Sequence, residues 1–208
     1  MELILASHNL HKIREFREML KSLESIDVIS LRNFPDYQLP EETGETFQEN
    51  ADLKALDAAK TLNAIVLADD SGLVVPALNG EPGVYSARYA GSDATDKENR
   101  DKLLKAMEGL EDLERSAYFE CCITIAGPEG ILKTVRATCE GLIGYEEKGR
   151  NGFGYDPIFI KHDYDKSFAE LDEQTKNRIS HRRKALDKVL GFIETKIANA
   201  ENLSGQEG

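Results

Sequence analysis

Two adjacent carboxylates, Asp69 and Asp70, follow a short apolar run and precede a serine and a glycine. The apolar run, residues 64–67, contains isoleucine and valine and predicts a buried strand. Side chains alternate along an extended chain, so we expect the two carboxylates to point to opposite faces. Because α/β proteins bind ligands where strands leave the sheet, one of these acids can face a ligand while the other serves structure. An ordinary acidic turn would have the same composition.

A second polar segment, S-H-N-L-H-K at residues 7–12, follows another short apolar strand and begins a predicted helix. Backbone N–H groups at a helix N-terminus attract anions, and the ammonium of Lys12 adds a positive charge. The segment lacks the glycines and the later lysine of a P-loop. A helix cap by Ser7 or Asn9 would explain one residue but not the lysine. The segment is therefore a candidate phosphate site.

Asn50 and Lys54 lie four residues apart on a second predicted helix and so share one face, beside its apolar stripe. A lysine near a buried edge needs an anionic partner or a path by which its ammonium reaches water, and the path to water is more common. Mg²⁺ prefers hard oxygen ligands, and a magnesium site would form if the preceding loop folds back on the strand. Otherwise the loop acids face solvent. The acids concerned are Glu41, Glu42, Asp69 and Asp70.

A glycine-rich segment, residues 149–157, carries two aromatic residues and a carboxylate. Phe153 or Tyr155 could stack on a base, and Asp156 or the nearby backbone could hydrogen-bond to the base edge. A bend into the next strand, with both aromatic rings packed inward, explains the same residues equally well.

A basic cluster lies near the C-terminus, and its members are Lys176, Arg178, His181, Arg182, Arg183 and Lys184. A basic run is usually a solvated face, but in a chain of net charge −12 a local positive patch can focus an anionic ligand. Arg182 suits bidentate contact with a phosphate, and Ser180 is a candidate N-cap for the helix that follows.

The composition of the 208 residues, 40% hydrophobic and 31% charged, is that of a soluble globular protein. The net charge of −12 argues against general affinity for nucleic acid, and no apolar run is long enough to span a membrane. The first residues lack the features of a signal peptide, so we expect a cytoplasmic protein. Three cysteines without metal-ligand spacing are expected to serve packing.

The hydrophobic patterns predict an α/β fold in which helices flank a mixed, twisted sheet. Strands are predicted at residues 3–7, 26–29, 64–70, 116–126, 131–138 and 157–160, with a hairpin between the fourth and the fifth. Helices are predicted at residues 10–23, 46–62, 95–109 and along the stripe 186–197. We expect a single domain over residues 1–198 and a flexible tail over residues 199–208.

Taken together and in this order, the polar segments resemble the inosine/xanthosine triphosphate pyrophosphatase family, whose members remove deaminated purine nucleotides from the triphosphate pool. The similarity covers about residues 1–197, and His8 stands where the family often has a small residue. Seven motifs carry it: S-H-N-L-H-K at 7–12, E-E-T-G-E-T-F at 41–47, E-N-A-D-L-K-A at 49–55, A-D-D-S-G-L at 68–73, P-G-V-Y-S-A-R-Y-A-G at 82–91, F-G-Y-D-P at 153–157 and I-S-H-R at 179–182.

The resemblance implies that the chain hydrolyses ITP, dITP and XTP to the monophosphate and pyrophosphate. It implies that Glu41 and Asp70 bind Mg²⁺ and that Asp70 is the proton acceptor. It assigns the phosphates to Ser7, His8, Asn9, Leu10, His11, Lys12 and Lys54. It assigns the rest of the nucleotide pocket to Ser71, Phe153, Gly154, Tyr155, Asp156, Lys176, His181 and Arg182. It also implies a homodimer of elongated, two-lobed subunits, each with a central cleft.

Elementary chemistry refines these expectations. A carboxylate on Mg²⁺ has a lowered pKa and is a poor base, so we expect the metal to acidify the attacking water and Asp70 mainly to orient it. The 6-oxo group of inosine and xanthine accepts a hydrogen bond where the adenine amino group donates one. Donors such as Arg182 or a backbone N–H near Phe153 would therefore select the oxo form.

Two other functions fit the same motifs. One is a related pyrophosphatase that acts on modified pyrimidine or methylated nucleotides. The other is a regulator that binds ITP without cleaving it, although a sensor would need phosphate donors more than the additional acids Glu41 and Asp70. All three interpretations depend on the polar segments converging around one triphosphate.

Overall fold

The computed structural model describes residues 2–23 and 25–204, with side chains as far as residue 196. The chain divides into two compact units. The first unit contains the chain up to Asp70, the segment Cys122–Arg136 and the chain from Ala185 onward. The second unit contains Ser71–Cys121 and Ala137–Lys184.

Parallel strands joined by helices form the frame of the first unit. Strand β1 (Glu2–Leu5) leads into α1 (Leu10–Leu20) and β2 (Asp27–Ser30), and α2 (Phe47–Leu62) leads into β3 (Val66–Val74). β1 pairs in parallel with both β2 and β3, which is the arrangement that helical crossovers allow. The alanine-rich face of α2 packs on this frame, and the buried core includes Ile4, Leu31, Ala55, Ala58, Ala59 and Val66.

The second unit has an aromatic core. It contains α3 (Asp96–Ala106), β6 (Phe159–Lys161) and α4 (Glu173–Ile179), together with parts of β4 (Ser116–Gly127) and β5 (Gly130–Ile143). β6 pairs antiparallel with β5. At the centre of the core, the ring centroids of Phe119 and Phe159 are 4.7 Å apart, and those of Phe159 and Phe168 are 5.0 Å apart.

The six strands form one mixed sheet in the order β2-β1-β3-β4-β5-β6. The predicted α/β class with a mixed sheet is therefore confirmed. Two residues join β4 to β5, which are neighbours in the sheet, as the predicted hairpin requires. The elongated outline and the central cleft stay predictions.

The last helix, α5, runs from His181 to Ser204. The prediction of a flexible tail concerns residues 199–208, which lie beyond the described side chains, and residues 205–208 lie outside the described chain altogether. Among the residues that the structure describes, no helix has the length and apolar content needed to cross a bilayer.

Two predictions about local structure were wrong. β3 does not end at Asp70 but continues to Val74, because Leu73 and Val75 remain buried and keep the chain in extended form. The two acids therefore lie within the strand. The sequence analysis also missed α4, since its seven residues are almost all polar and show no apolar period. The sequence signal for this helix is Asp172, which acts as its N-cap: the Asp172 side chain accepts a hydrogen bond from the N–H of Thr175.

Candidate active site

The two carboxylates within β3 contact different helices. Asp69 Oδ2 lies 3.0 Å from the ammonium of Lys12, which α1 carries. Asp70 contacts α2 instead: its Oδ2 accepts a hydrogen bond of 3.1 Å from Asn50, and its Oδ1 lies 3.5 Å from Lys54 Nζ. The alternation of side chains along an extended strand predicts this division. Each acid therefore has its own cation.

Lys54 is surrounded by oxygen atoms, and its side chain is only 6% exposed. Its ammonium donates to Glu42 Oε1 at 2.6 Å and to the backbone oxygen of Asp69 at 2.8 Å, in addition to its contact with Asp70. Burial alone would lower the pKa of Lys54, but the charges of Asp70, Glu42 and Asp69 together raise it. Lys54 is therefore a buried cation with anionic partners rather than one that extends to water.

Asp70 keeps a pKa above its ordinary value. Burial is the largest cause, and the nearby charge of Glu42 acts in the same direction. The cations of Lys54 and Lys12 and the hydrogen bond from Asn50 oppose the rise without cancelling it. The neighbouring cations therefore neutralise this carboxylate only in part.

The acid that reaches this cluster is Glu42, not Glu41. Glu42 is half-buried against Lys54, whereas Glu41 is exposed. Consecutive side chains leave the backbone in different directions, so only one of the pair faces the lysine. The role in metal binding that the resemblance gives to Glu41 stays a prediction, and the structure adds Glu42 as the acid in contact with Lys54. The sequence offered both acids and held no signal that separated them.

At the start of α1, the helix cap predicted for residues 7–12 is confirmed, and the phosphate site stays a prediction. Asn9 caps the helix, since its side chain accepts from the N–H groups of His11 at 2.9 Å and Lys12 at 3.1 Å. Ser7 Oγ in turn accepts from the Asn9 N–H at 3.2 Å. His8, Leu10 and His11 are exposed. The cap leaves the lysine side chain free to turn toward β3, where it pairs with Asp69.

In the second unit, the carboxylate of Asp156 organises the glycine-rich loop. Its Oδ2 accepts from the backbone N–H of Phe153 at 2.9 Å and from Lys176 Nζ at 2.5 Å. Gly152 has a φ of +75°, and a Cβ at this position would lie 2.0 Å from the same carboxylate oxygen. Only glycine fits there. Asp156 thus anchors the loop on α4 through the lysine.

Of the two aromatic residues in this loop, only Phe153 keeps an accessible ring. Tyr155 is 3% exposed, lies in the aromatic core, and donates its hydroxyl to the backbone oxygen of Ser86 at 2.9 Å. Phe153 is half-buried, with Lys176 Nζ at 4.8 Å and Arg182 Cζ at 5.9 Å from its ring centroid. The inward packing expected as an alternative is right for Tyr155 but not for Phe153.

Gly154 is held from the start of α3. Its N–H donates to Asp96 Oδ2 at 2.7 Å, and its carbonyl accepts from Arg100 at 2.8 Å.

Within the basic cluster, the residues of the I-S-H-R motif at 179–182 do not form a solvated face. Arg182 is 1% exposed and donates to Ser71 Oγ at 2.8 Å. His181 stacks on Phe119 with ring centroids 4.7 Å apart. Ser180 caps α5 as predicted, accepting from the N–H of Arg183 at 3.2 Å. Arg182, His181 and Ser180 are therefore buried side chains with protein partners and not solvated ones.

Sequence reasoning missed one buried polar side chain in this region. Asn177 lies beside Lys176 on α4 and is 6% exposed. Neither of its amide atoms has a hydrogen-bond partner within the described part of the chain. Buried amides are normally satisfied by protein, water or a ligand. Nothing in the sequence predicts the burial of Asn177, because it is a polar residue on a short polar helix.

The donor set suits Mg²⁺ better than a metal that is held by protein alone. Over the residues that the structure describes, no three or more His, Cys, Asp and Glu side chains form a metal site. Two carboxylates, Glu42 and Asp70, reach the same ammonium of Lys54. Magnesium is commonly bound by one or two carboxylates, with substrate phosphates and water completing its coordination.

The mixed sheet and the helices that accompany it place the chain among α/β proteins. Residues 3–192 match the sequence profile of the Ham1 family, and the chain belongs to that family. It is similar to the dITP/XTP pyrophosphatase of Protochlamydia amoebophila, with 58% identity over 93% of this chain and 98% of the relative. It is also similar to the dITP/XTP pyrophosphatase of Chlamydia trachomatis serovar L2, with 50% identity over 100% and 99% of the two chains. A solved HAM1 protein from Coxiella burnetii shares 45% identity and superposes with a TM-score of 0.85 over 94% of this chain and 99% of that one.

Proposed function

We propose that this chain hydrolyses the deaminated purine nucleotides ITP, dITP and XTP to the nucleoside monophosphate and pyrophosphate. The observation that carries the proposal is the cluster in which Glu42 and Asp70 share the ammonium of Lys54. The names of the two chlamydial relatives, dITP/XTP pyrophosphatase, support the choice of substrate. Hydrolysis needs an oriented water and neutralised phosphate oxygens, and this cluster offers groups for both.

Glu42 and Asp70 are the residues that would hold Mg²⁺. When bound, the ion would neutralise phosphate charge and lower the pKa of a coordinated water. Asp70 is the catalytic residue in this scheme. Asn50 fixes one of its carboxylate oxygens, and the carboxylate orients the water for attack on the α-phosphorus. Lys12 and Lys54 supply positive charge for the phosphates.

The base is assigned to the second unit. The half-buried ring of Phe153 offers a face for stacking, and Lys176 and Arg182 beside it offer donors. The 6-oxo group of hypoxanthine or xanthine accepts from such donors. The amino group of adenine would leave a donor unpaired, and buried groups that lose their partner reject a substrate strongly.

We further propose that the protein works in the cytoplasm as a homodimer and does not bind nucleic acid. The net charge of −12 opposes contact with a phosphate backbone. The family resemblance supports the dimer. Light scattering coupled to size-exclusion chromatography measures the mass directly, and a monomer at micromolar concentration would contradict this part of the proposal.

A substrate panel tests the function. ITP, dITP, XTP, ATP, GTP, dUTP and methylated nucleotides are incubated with the chain, with Mg²⁺ and with a chelator, and pyrophosphate is measured. We expect release from ITP, dITP and XTP only, and only with the metal. Preference for dUTP or a methylated nucleotide would favour the related pyrophosphatase. Binding of ITP without pyrophosphate would favour a sensor, and equal turnover of ATP would refute the selection by the 6-oxo group.

A further inference from the structure

Asn50 joins two parts of the first unit through a single amide. It is wholly buried on α2. Its side-chain oxygen accepts from the backbone N–H of Gly44 at 2.8 Å, and its side-chain nitrogen donates to Asp70 Oδ2 at 3.1 Å. Gly44 belongs to the same loop as Glu42, two residues further along. Asn50 thus contacts both the loop that carries Glu42 and the carboxylate of Asp70.

The chemistry of these two partners fixes the orientation of the amide. A backbone N–H can only donate, so the atom that faces Gly44 must be the oxygen. The nitrogen must then face Asp70, whose ionised carboxylate can only accept. A reversed amide would lose both hydrogen bonds and would set two oxygens against each other. Asn50 therefore has one permitted orientation.

The loop also approaches Asn50 too closely for any residue but glycine. A Cβ on Gly44 would lie 2.7 Å from Asn50 Oδ1 and 2.7 Å from Glu49 Cβ, closer than real contacts. The Cβ would therefore collide with the side chain of Asn50 and with its neighbour Glu49 on α2. A larger residue at position 44 would therefore push the loop, and Glu42 with it, away from α2.

We propose that Asn50 is a positioning residue that sets the separation and mutual orientation of Glu42 and Asp70. The inference rests on the proposed function, because it gives those two carboxylates their task. Asn50 has no role as a ligand or a base. It holds Asp70 by one oxygen and holds the Glu42 loop through Gly44. The proposal therefore has a donor half, the hydrogen bond to Asp70, and an acceptor half, the hydrogen bond from Gly44. Different substitutions remove them separately.

Asn50→Asp removes the donor half and keeps the acceptor half. Its carboxylate can still accept from the Gly44 N–H but presents an oxygen to Asp70. Asn50→Ala removes both halves. Gly44→Ala leaves the amide in place and displaces the loop. Groups that orient a catalytic or ligating side chain through a hydrogen bond change activity or metal affinity by about 10- to 100-fold when they are removed.

Asn99 on α3 is a matched control. It is also buried, at 2% exposure, and its amide also joins two groups: its oxygen accepts from the Ala90 N–H at 2.7 Å, and its nitrogen donates to the Ala87 carbonyl at 3.2 Å. Both of these partners are backbone groups rather than acids. Asn99→Asp and Asn99→Ala thus impose the same chemical changes away from the carboxylates.

The first measurement needs no turnover. Hydrogen exchange of the Gly44 amide is followed by NMR in the nucleotide-free protein. We expect slow exchange in the wild-type protein and in Asn50→Asp, and at least a tenfold acceleration in Asn50→Ala. Exchange of this amide at the wild-type rate in Asn50→Ala would show that the link does not hold the loop and would overturn the proposal.

The second measurement separates kcat from KM with ITP and titrates Mg²⁺. We expect both Asn50 variants to lose about 10- to 100-fold in kcat with little change in the KM for ITP, while Asn50→Ala and Gly44→Ala also need more Mg²⁺. We expect Asn99→Asp and Asn99→Ala to stay within about twofold of wild-type kcat, even where they lower the melting temperature. Equal losses of kcat at both sites, or wild-type kcat in Asn50→Asp, would overturn the proposal.

The two proposals fail in different ways. A wild-type protein that releases no pyrophosphate contradicts the proposed function, and the exchange measurement then still decides whether the link exists. If Asn50→Asp does not fold, Gly44→Ala and Asn50→Ala carry the test. Wild-type kcat and an unchanged Mg²⁺ requirement in those two variants would overturn the inference.

Discussion

Each unit of the molecule contains a buried lysine–aspartate pair, and the two pairs differ in what the carboxylate does. In the second unit, one oxygen of Asp156 accepts from Lys176 at 2.5 Å and from the N–H of Phe153. In the first unit, Lys54 lies 3.5 Å from Asp70 and makes its shorter contacts elsewhere, with Glu42 among them. The close pair fixes a loop, whereas the loose pair leaves Asp70 less tightly bound, as its proposed role requires.

The comparison teaches that burial of a charged pair does not by itself identify a catalytic group. Both aspartates are almost fully buried, at 3% and 6% exposure. What separates them is how tightly their oxygens are already bound. A buried ion pair that is fully hydrogen-bonded serves structure, and a buried acid that is incompletely neutralised keeps a raised pKa. Asp70 belongs to the second group.

The largest expected effect is at Asp70. If this carboxylate orients the attacking water, Asp70→Asn should lower kcat by about 10²- to 10⁴-fold, since that is the contribution of a positioned acid–base group. Asparagine has nearly the same shape and can still accept from Asn50, so nucleotide binding should survive. Pyrophosphate release and equilibrium binding of ITP measure the two properties separately. Unimpaired hydrolysis would remove Asp70 from the mechanism and end the distinction between the pairs.

The sequence predicts most of the elements that carry the two pairs, but it does not predict the contacts within the pairs. Regular patterns predicted α2, α3 and the mixed sheet, because apolar periodicity is a property of neighbouring residues. The partner of Lys54 was left open in the sequence. The choice between an anion and water depends on a loop that is distant along the chain, and spacing cannot place such a loop.

The errors have the same physical origin. The sequence predicted the end of β3 at the acids, because polar residues commonly end a buried strand, yet the apolar residues beyond Gly72 continue it. It gave Tyr155 and Phe153 equal claims to a base, because a sequence does not show which ring enters a core. Tertiary contacts decide each of these points.

The close pair in the second unit should give a large effect on stability. Asp156→Asn leaves the ammonium of Lys176 buried without its anionic partner, and breaking such a pair costs about 3–5 kcal/mol. Urea unfolding measures the loss. The control is Asp101→Asn, because the Lys97–Asp101 pair is exposed, with side chains 67% and 54% accessible, and such pairs contribute about 0–1 kcal/mol.

An unchanged free energy of unfolding in Asp156→Asn would show that this carboxylate is not a structural anchor. Asp156 could then no longer serve as the structural carboxylate with which Asp70 is compared. A folded Asp156→Asn protein should bind ITP more weakly, because the position of Phe153 depends on the same oxygen.

The smallest of these effects, and the sharpest test of the loose pair, is at the two adjacent loop acids. Glu42→Gln should raise the Mg²⁺ concentration needed for half-maximal activity by about 10- to 100-fold, because a neutral amide is a weaker ligand for a hard cation and a weaker partner for Lys54. Glu41→Gln makes the same chemical change one residue earlier, on an exposed side chain, and should leave the Mg²⁺ requirement unchanged. Titration of Mg²⁺ at fixed ITP compares the two variants directly. If Glu41→Gln proved the more damaging, the acid turned toward Lys54 would not be the one that serves the metal, and Lys54 would be paired with Glu42 for structure alone.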